Sequence, residues 1–581
     1  NIVRHMEENG ETAFEAALKG SREIGFTIIA ISLSLVAVFI PVLMMGGVVG
    51  KIFYEFAIVV TVSILASAFV SLTLTPMMAA RLPDLPPDHA GERGLGRLLE
   101  RGFEALVRGY GRLLSLCFRV QPLILLVFFA TIGLTVYQVS AIPKGVFPQE
   151  DIGQLQVTTQ ARQDISFAAM SALQAKVEDV FAKSPYVAHV GSSLGTGGGA
   201  SAINTGRLFV ELKPKADRPP LAKVLADLRG QLGKIPGINA YMSPVQNLSV
   251  GARSSASQYQ LVIQSLDQGM MDEWAEKLAN AMRDDRRFFT DVNSDLQNNA
   301  PQARLVIDRD KAATLGVSAS VLRSTLYGGF GAEQVSTIYT STDSYDVLME
   351  LDPKISWSPK QLSEIQVPGN SGALVPLGAF ARFETMAGLL TVNHQNQLPA
   401  VTISYNLPAG IALDASIREV DRLKAELGMP GDITTSYYGT AKTFQDAAAN
   451  QGLLILGAVL TIYIVLGMLY ESFIHPLTIL SGLPSAASGA LLAIGWFGYD
   501  LSVIAVIGLL MLIGIVKKNA IMMIDVALSL QREGLPPQEA IHRACTMRFR
   551  PIMMTTVAAV MSTLPIALGS GASAALRQPL G

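Results

Sequence analysis

The sequence predicts an α-helical polytopic membrane protein that carries a large external α+β region. Three observations carry this. Of the 581 residues 50% are hydrophobic and only 16% charged. An average soluble chain carries about 25% charged residues, and mean hydropathy here is +0.37. Seven apolar segments, near 25–49, 53–78, 121–141, 451–470, 476–497, 501–528 and 551–570, are each long enough to cross a bilayer. The polar stretch 141–450 between the third and fourth alternates strand and helix patterns.

The composition also excludes function classes. A net charge of −2, with no basic stripe among aromatics, predicts no nucleic-acid partner. Cys117 and Cys545 lie far apart in or beside apolar helical segments, so neither a disulfide framework nor a Cys-x-x-Cys metal site follows. The six histidines, His5, His89, His189, His394, His475 and His542, show no ligand spacing, so no metal site and no cofactor is expected. No nucleophile–base pairing is readable, and an enzyme is not expected. The chain opens on Asn1 without an initiator Met or a signal peptide and reads as an internal piece of a longer protein.

In chain order, 1–24 reads as the cytoplasmic end of a span and a connecting helix, and 25–78 as two transmembrane helices. Segment 79–120 reads as a cytoplasmic amphipathic helix. Leu95, Leu99, Phe103, Leu106, Tyr110, Leu113 and Cys117 recur at helical spacing with arginines opposite, which fits a helix on the membrane surface. A solvated connector is the alternative. A third span follows at 121–141; after the external region come three spans in 441–528, a cytoplasmic helix at 529–550, a seventh span at 551–570 and a truncated end at 571–581. Counting spans puts the basic segments 1–24, 79–120 and 529–550 on one side, which the positive-inside rule makes cytoplasmic. The region 141–450 then lies on the other side.

Within that region strand patterns at 153–159, 187–193, 207–212 and 239–243 enclose helices at 166–183 and 221–232. A second set has strands at 258–264, 290–295, 399–406 and 432–438 with helices at 269–283 and 413–427. Each set is a split βαβ, the ferredoxin-like pattern. The second is interrupted by 306–391, an insert rich in Pro, Gly and short strands. The glycine-rich run 195–201 reads as a flexible loop, because it lacks the Lys-Ser/Thr ending of a phosphate-binding loop.

The run 501–528 contains Lys517 and Lys518. Each lysine costs roughly 2.5–3.5 kcal/mol inside a span. For Lys518 the readings are a charge relay or a side chain snorkelling to the cytoplasmic interface. Lys517, about 100° around the helix, is expected to be an edge charge.

The two ends of the chain match each other. Aligning Gly10 with Gly534 gives an offset of 534 − 10 = 524 that also pairs Glu15 with Glu539, Lys19 with Arg543, Pro41 with Pro565 and Gly47 with Gly571. This predicts a duplicated transporter with parallel repeats and a full protein of roughly twice the repeat, with about twelve spans. The counterpart of Lys518 would fall at 518 − 524 = −6, before Asn1.

The stretch Gly514-Ile-Val-Lys-Lys-Asn-Ala-Ile-Met-Met-Ile-Asp525 resembles the charged span of resistance-nodulation-division (RND) efflux pumps. Arg548-Phe-Arg-Pro-Ile-Met-Met-Thr-Thr556, Asn1-Ile-Val-Arg4, Leu72-Thr-Leu-Thr-Pro76, Pro143-Lys-Gly-Val-Phe-Pro-Gln-Glu-Asp151 and Leu469-Tyr-Glu-Ser472 extend the likeness over essentially the whole chain. It is most like the hydrophobe/amphiphile exporters, in the branch where two paralogous pump subunits assemble together. The resemblance implies a proton-driven antiporter of drugs or amphiphiles in the inner membrane of a Gram-negative bacterium. It would act as a homo- or hetero-trimer joined through a periplasmic adaptor protein to an outer-membrane channel, with the proton as coupling ion and no cofactor.

By the same resemblance Lys518, Arg548 and Thr555 match the family's proton relay, whose aspartate pair would precede Asn1. The external region would divide into a porter subdomain at 142–253, a second at 254–305 and 392–440, and a docking subdomain at 306–391. Asn204-Thr205-Gly206 matches a substrate-path motif, and with it Asn204 and Phe209 are the path residues implied. The run 190–200 lacks the phenylalanines that broad-specificity pumps carry before this motif. That departure implies more polar substrates, or a pocket carried by a partner subunit. Two alternatives stay open: a heavy-metal exporter on the same fold, which needs facing Met, Cys or His pairs, and a membrane assembly protein that does not transport.

Overall fold

The computed structural model describes residues 2–81, 95–145, 147–195, 202–248, 255–352, 359–370, 372–569, 571 and 573–581. Among these, seven helices are long and apolar enough to cross a membrane: Ala13–Leu43, Gly47–Ala79, Gln121–Ala141, Thr440–Tyr470, Ile474–Trp496, Val503–Arg532 and Pro537–Leu568. Two differ from the sequence reading, which split each into a connecting helix and a span. The first starts at Ala13, where the Thr12 hydroxyl caps it by accepting from the Glu15 amide. The last runs unbroken from Pro537 through Pro551. In both, polar residues simply continue the helix beyond the apolar stretch.

The offset of 524 reappears in the backbone. The first span starts at Ala13 and the last at Pro537, the equivalent position. Gly10 and Gly534 both take positive φ (65° and 100°), as do Gly47 and Gly571 (77° and 94°). Aligned glycines thus meet the same left-handed requirement at the same place in each repeat. Pro41 breaks the first span after Ala37: it lacks an N–H and crowds the carbonyl four residues back, so the chain turns through Val38–Phe39 before Ile40–Leu43.

The external region holds two sheets of one topology. The first has Val187–Leu194, Thr205–Leu212, Gln154–Ala161 and Ile238–Pro244 in that spatial order, all antiparallel. The second places Leu398–Asn406 between Thr290–Ser294 and Tyr259–Gln264, with Thr434–Tyr438 beyond. Numbered within each unit, both run 2-3-1-4, the ferredoxin-like order. Alternation along Thr205–Leu212 sends Gly206, Leu208, Val210 and Leu212 inward, onto Met170, Val177 and Phe181 of helix Phe167–Ala182. Strands Ala300–Ile307 and Ala381–Gly388 pair only with each other among the described residues, forming the stem of the insert, which has its own core around Leu322, Leu377 and Phe380. The glycine-rich loop at 196–201 lies outside the described residues.

Helix Leu95–Arg119 falls within the expected amphipathic segment 79–120, of which 82–94 lie outside the described residues. It docks on helix Pro537–Leu568: the Tyr110 and Phe549 rings stack at 4.6 Å, Arg550 sits 5.6 Å over Phe103, and Ser115 meets His542 at 3.2 Å. Leu106, Leu113 and Leu116 remain exposed, an apolar strip of the kind a membrane surface covers.

Among the contacts between the external and membrane regions, helix Thr440–Tyr470 sends Ala441 and Phe444 into the core of the second unit, and a second set surrounds Pro143–Gly145. The Leu501 amide donates to the Pro143 carbonyl at 2.8 Å, and Lys144 pairs with Leu501 and with Asp414. Asp500 sits against Gly145, where a Cβ would come 3.2 Å from its Oδ2. Burial, and then the charge of Asp414, push the Asp500 carboxyl above its usual range. A carboxylate with a raised folded-state pKa favours the fold below its unfolded value and loses that contribution as pH rises through the folded one. Asp500→Asn is therefore expected to raise the melting temperature at pH 7.5, with the gain vanishing at pH 4; thermal unfolding at both pH values checks it.

Candidate functional site

The helix Val503–Arg532 is the element on which the charged motif folds. Ser502 caps it, accepting from the Ala505 amide at 3.2 Å. Gly514, Lys517 and Ile521 are buried on it, and it packs on helix Ala13–Ala37, meeting Thr27, Ser34 and Leu35 there. Gly514 allows the close approach, since a Cβ there would come 2.1 Å from Leu35 Cδ1. Two polar cross-links run along this antiparallel contact: the Lys517 ammonium donates to the Ser34 carbonyl, and the Thr27 hydroxyl donates to Asp525.

The expectation of Lys517 as an edge charge is overturned. Its residue exposure is 1%. The helix runs on to Arg532, 532 − 517 = 15 residues and so about 22 Å beyond Lys517, further than a lysine side chain reaches toward water. Lys517 instead serves the last turn of helix Ala13–Ala37, where carbonyls run short of intrahelical donors and the helix dipole is negative. Lys517→Met is expected to cost about 1–3 kcal/mol of stability for the unserved carbonyl. The melting temperature checks it.

Lys518 is half-buried and makes no hydrogen bond or ion pair among the described residues. Arg548, half-buried on helix Pro537–Leu568, lies within electrostatic reach of Asp525, Glu23 and Arg4. Thr555 donates to its own helix at the Ile552 carbonyl, 3.1 Å. The structure thus brings Arg548 to Asp525, and does not link Lys518, Arg548 and Thr555 by hydrogen bonds among the described residues. Sequence reasoning quoted Asp525 in the motif but gave it no role. The available signal was its spacing: it follows Lys518 by two helical turns, on the same face.

Between the two ferredoxin-like units opens a cleft of about 520 Å³. Phe147, Arg207 and Phe209 line it together with a polar set that includes Gln156, Thr158 and Gln260. Phe209 stands well exposed there. Asn204 does not line it: its side chain is buried and donates to the Ala161 carbonyl at 3.1 Å, while its own carbonyl accepts from the Ala161 amide at 2.9 Å. The reading of Asn204 as a substrate-path residue is corrected to a clamp on the sheet end. Its amide offers the loop backbone a partner that an apolar side chain lacks.

Seven long apolar helices, a charged face inside one of them, a parallel repeat and paired ferredoxin-like units with a cleft between are the architecture of a polytopic membrane protein of the RND type. The family model described as the AcrB/AcrD/AcrF family matches residues 1–581, and the chain belongs to that family. Multidrug resistance protein MdtC of Escherichia coli O139:H28 (strain E24377A / ETEC) is 44% identical over 585 residues, covering 100% of this chain and 56% of that protein. Proteins of the same name from Escherichia coli (strain K12 / DH10B) and Escherichia fergusonii show the same identity and coverage. The chain spans about half the length of the curated relatives it matches.

Proposed function

We propose that the full-length protein is a proton-motive-force-driven exporter of drugs or amphiphiles in the inner membrane of a Gram-negative bacterium. The observation that carries this is Lys518, half-buried in mid-helix of Val503–Arg532 without a partner among the described residues, in a chain of the AcrB/AcrD/AcrF family. A charge so placed is costly unless it acts. Lys518 pairs with carboxylates elsewhere in the full-length protein, and Arg548 and Thr555 complete the relay. Protonating a carboxylate weakens its hold on the lysine, and the helices repack.

Substrate passes through the cleft between the porter subdomains at 142–253 and at 254–305 with 392–440, where Phe209 offers an apolar surface among polar groups. The insert 306–391 docks toward a periplasmic adaptor protein and an outer-membrane channel. The pump works as a trimer, homomeric or shared with a paralogous subunit. The test is expression of the full-length protein in a host stripped of its own pumps. Inhibitory concentrations of amphiphilic drugs are expected to rise at least fourfold, and a protonophore to cancel the rise. Resistance that survives the protonophore would sink the coupling.

A further inference from the structure

We propose that Arg229, Asp291 and Asn406 form a latch across the seam between the two ferredoxin-like units, and that its release opens the cleft to substrate. This rests on the reading above that substrate passes through that cleft, and adds the residues that control entry. Ile238–Pro244 is an edge strand of the first sheet, and Thr290–Ser294 an edge strand of the second. The two strands touch, yet no ladder pairing joins them among the described residues. Each edge offers a row of N–H and C=O groups, so a permanent seam can close as one continuous sheet. This seam is fastened by side chains instead. Arg229, on helix Leu221–Leu232 of the first unit, forks onto Asp291 of the second. Its Nε donates to the two carboxylate oxygens at 3.2 and 3.1 Å, and its Nη2 to one of them at 2.7 Å. Asn406 Nδ2 donates at 2.9 Å to Asp291 and, back across the seam, at 2.9 Å to the Met242 carbonyl.

Asp291 reaches this place by an irregular backbone. The register between Thr290–Ser294 and Leu398–Asn406 slips between Ser404 and Asn406, and Asp291 takes φ 52°. A bulge re-aims a side chain. A residue other than glycine keeps left-handed backbone only where its surroundings fix it, and such places cluster at switches. The latch also stands between two cavities. Along Ile238–Pro244, Ser243 lines the cleft of about 520 Å³ described above, and Tyr241 lines a second cavity of about 670 Å³. Met242, between them, is the residue that Asn406 holds. Arg229 and Asp291 stand in the wall of the second cavity, and Ser257 and Gln258 in the wall of the first. The Ser257 hydroxyl donates to the Asp291 carbonyl at 2.6 Å, and the Gln258 amide to Asn406 Oδ1 at 2.9 Å. These few residues partition the seam. Parting Arg229 from Asp291, and Asn406 from Met242, joins the two cavities into one passage.

The test uses the full-length protein with Ser243→Cys as a reporter in the cleft wall and fluorescein maleimide as the probe, against the same variants without the reporter. Asp291→Asn keeps an acceptor oxygen and a residue that tolerates left-handed backbone, but strips the charge that holds the fork. Labelling of the introduced thiol is expected to run about tenfold faster in Asp291→Asn, as befits the loss of a charge-assisted contact. Arg229→Lys, which keeps the charge but not the fork, is expected to give about threefold. Nile red efflux from energised cells is expected to reach its half-maximal rate at about a third of the wild-type dye concentration, because the binding-competent open state is more populated. Loss of folded pump lowers only the maximal rate and leaves half-saturation in place. If Asp291→Asn does not assemble, Arg229→Lys decides. Wild-type labelling in both variants overturns the latch. Faster labelling with unchanged half-saturation overturns its control of entry. A full-length wild-type protein that exports nothing overturns the substrate path, while the labelling rates still decide whether these residues close the seam.

Discussion

Lys518→Met is expected to cut proton-driven efflux by the full-length protein about 10²-fold or more, the range lost when a proton-transfer group is removed. Methionine keeps the length and flexibility of lysine, so packing in the span is nearly conserved. What goes is the charge. Lys518 is half-buried in mid-helix with no partner among the described residues, so the contacts it loses are those to the carboxylates of the proposed relay. Removing an ammonium from a bilayer span is favourable by itself. The carboxylates it pairs with can take up protons in its place, so melting temperature is expected to change little while transport is lost. The neighbouring Lys517→Met, which strips a donor from the Ser34 carbonyl, is expected to do the reverse. The two adjacent substitutions separate function from stability. Efflux unaffected by Lys518→Met would remove the relay from the mechanism.

The ferredoxin-like units were legible because both physical periods are clean there. Alternating burial in Thr205–Leu212 and helical periodicity in Leu221–Leu232 leave little ambiguity. The spans were legible from length and hydropathy, but their ends were not. Polar residues from Ala13 onward, and from Pro537 to Pro551, extend the helices past the apolar core, and hydropathy does not register them. The repeat was legible from glycine and proline because those residues answer to backbone demands, not to composition: Gly10 and Gly534 share a positive φ.

Lys517 was misread for a three-dimensional reason. Its face of the helix is fixed by what packs on it, and Gly514, whose missing side chain admits Leu35, does that. Nothing local to Lys517 announces a broken helix 483 residues earlier in the chain whose carbonyl needs a donor. Asn204 was misplaced similarly: the motif marked it, but the hydrogen bond to Ala161 turns it inward.

Arg218→Ala is expected to destabilise the first ferredoxin-like unit by about 3–5 kcal/mol, the cost of breaking a buried ion pair from one side. The Arg218 side chain is 1% exposed and meets Asp151 at 2.5 Å. Its Nε donates to the Lys213 carbonyl at 2.7 Å. Asp151 also accepts from the Gly153 amide at 3.2 Å, and the Leu212 amide donates to the Gly153 carbonyl at 2.7 Å. The arginine thus fastens the end of the Pro143–Asp151 motif, where the chain arrives from the membrane, to the end of strand Thr205–Leu212. Arg218→Lys keeps the charge but not the fork, and should lose only about 1–3 kcal/mol. Hydrogen exchange at Gly153 and Leu212 reads this directly: the alanine variant should open these amides about 10²- to 4 × 10³-fold more often, at about 1.4 kcal/mol per decade. A change of under about 1 kcal/mol would put the pair in the class of solvated surface bridges. If the larger value holds, the entry strand is locked to its sheet. Relative motion between the membrane and external regions then falls on contacts such as those of Lys144 with Asp414 and Leu501, and on helix Thr440–Tyr470, whose Ala441 and Phe444 sit in the core of the second unit.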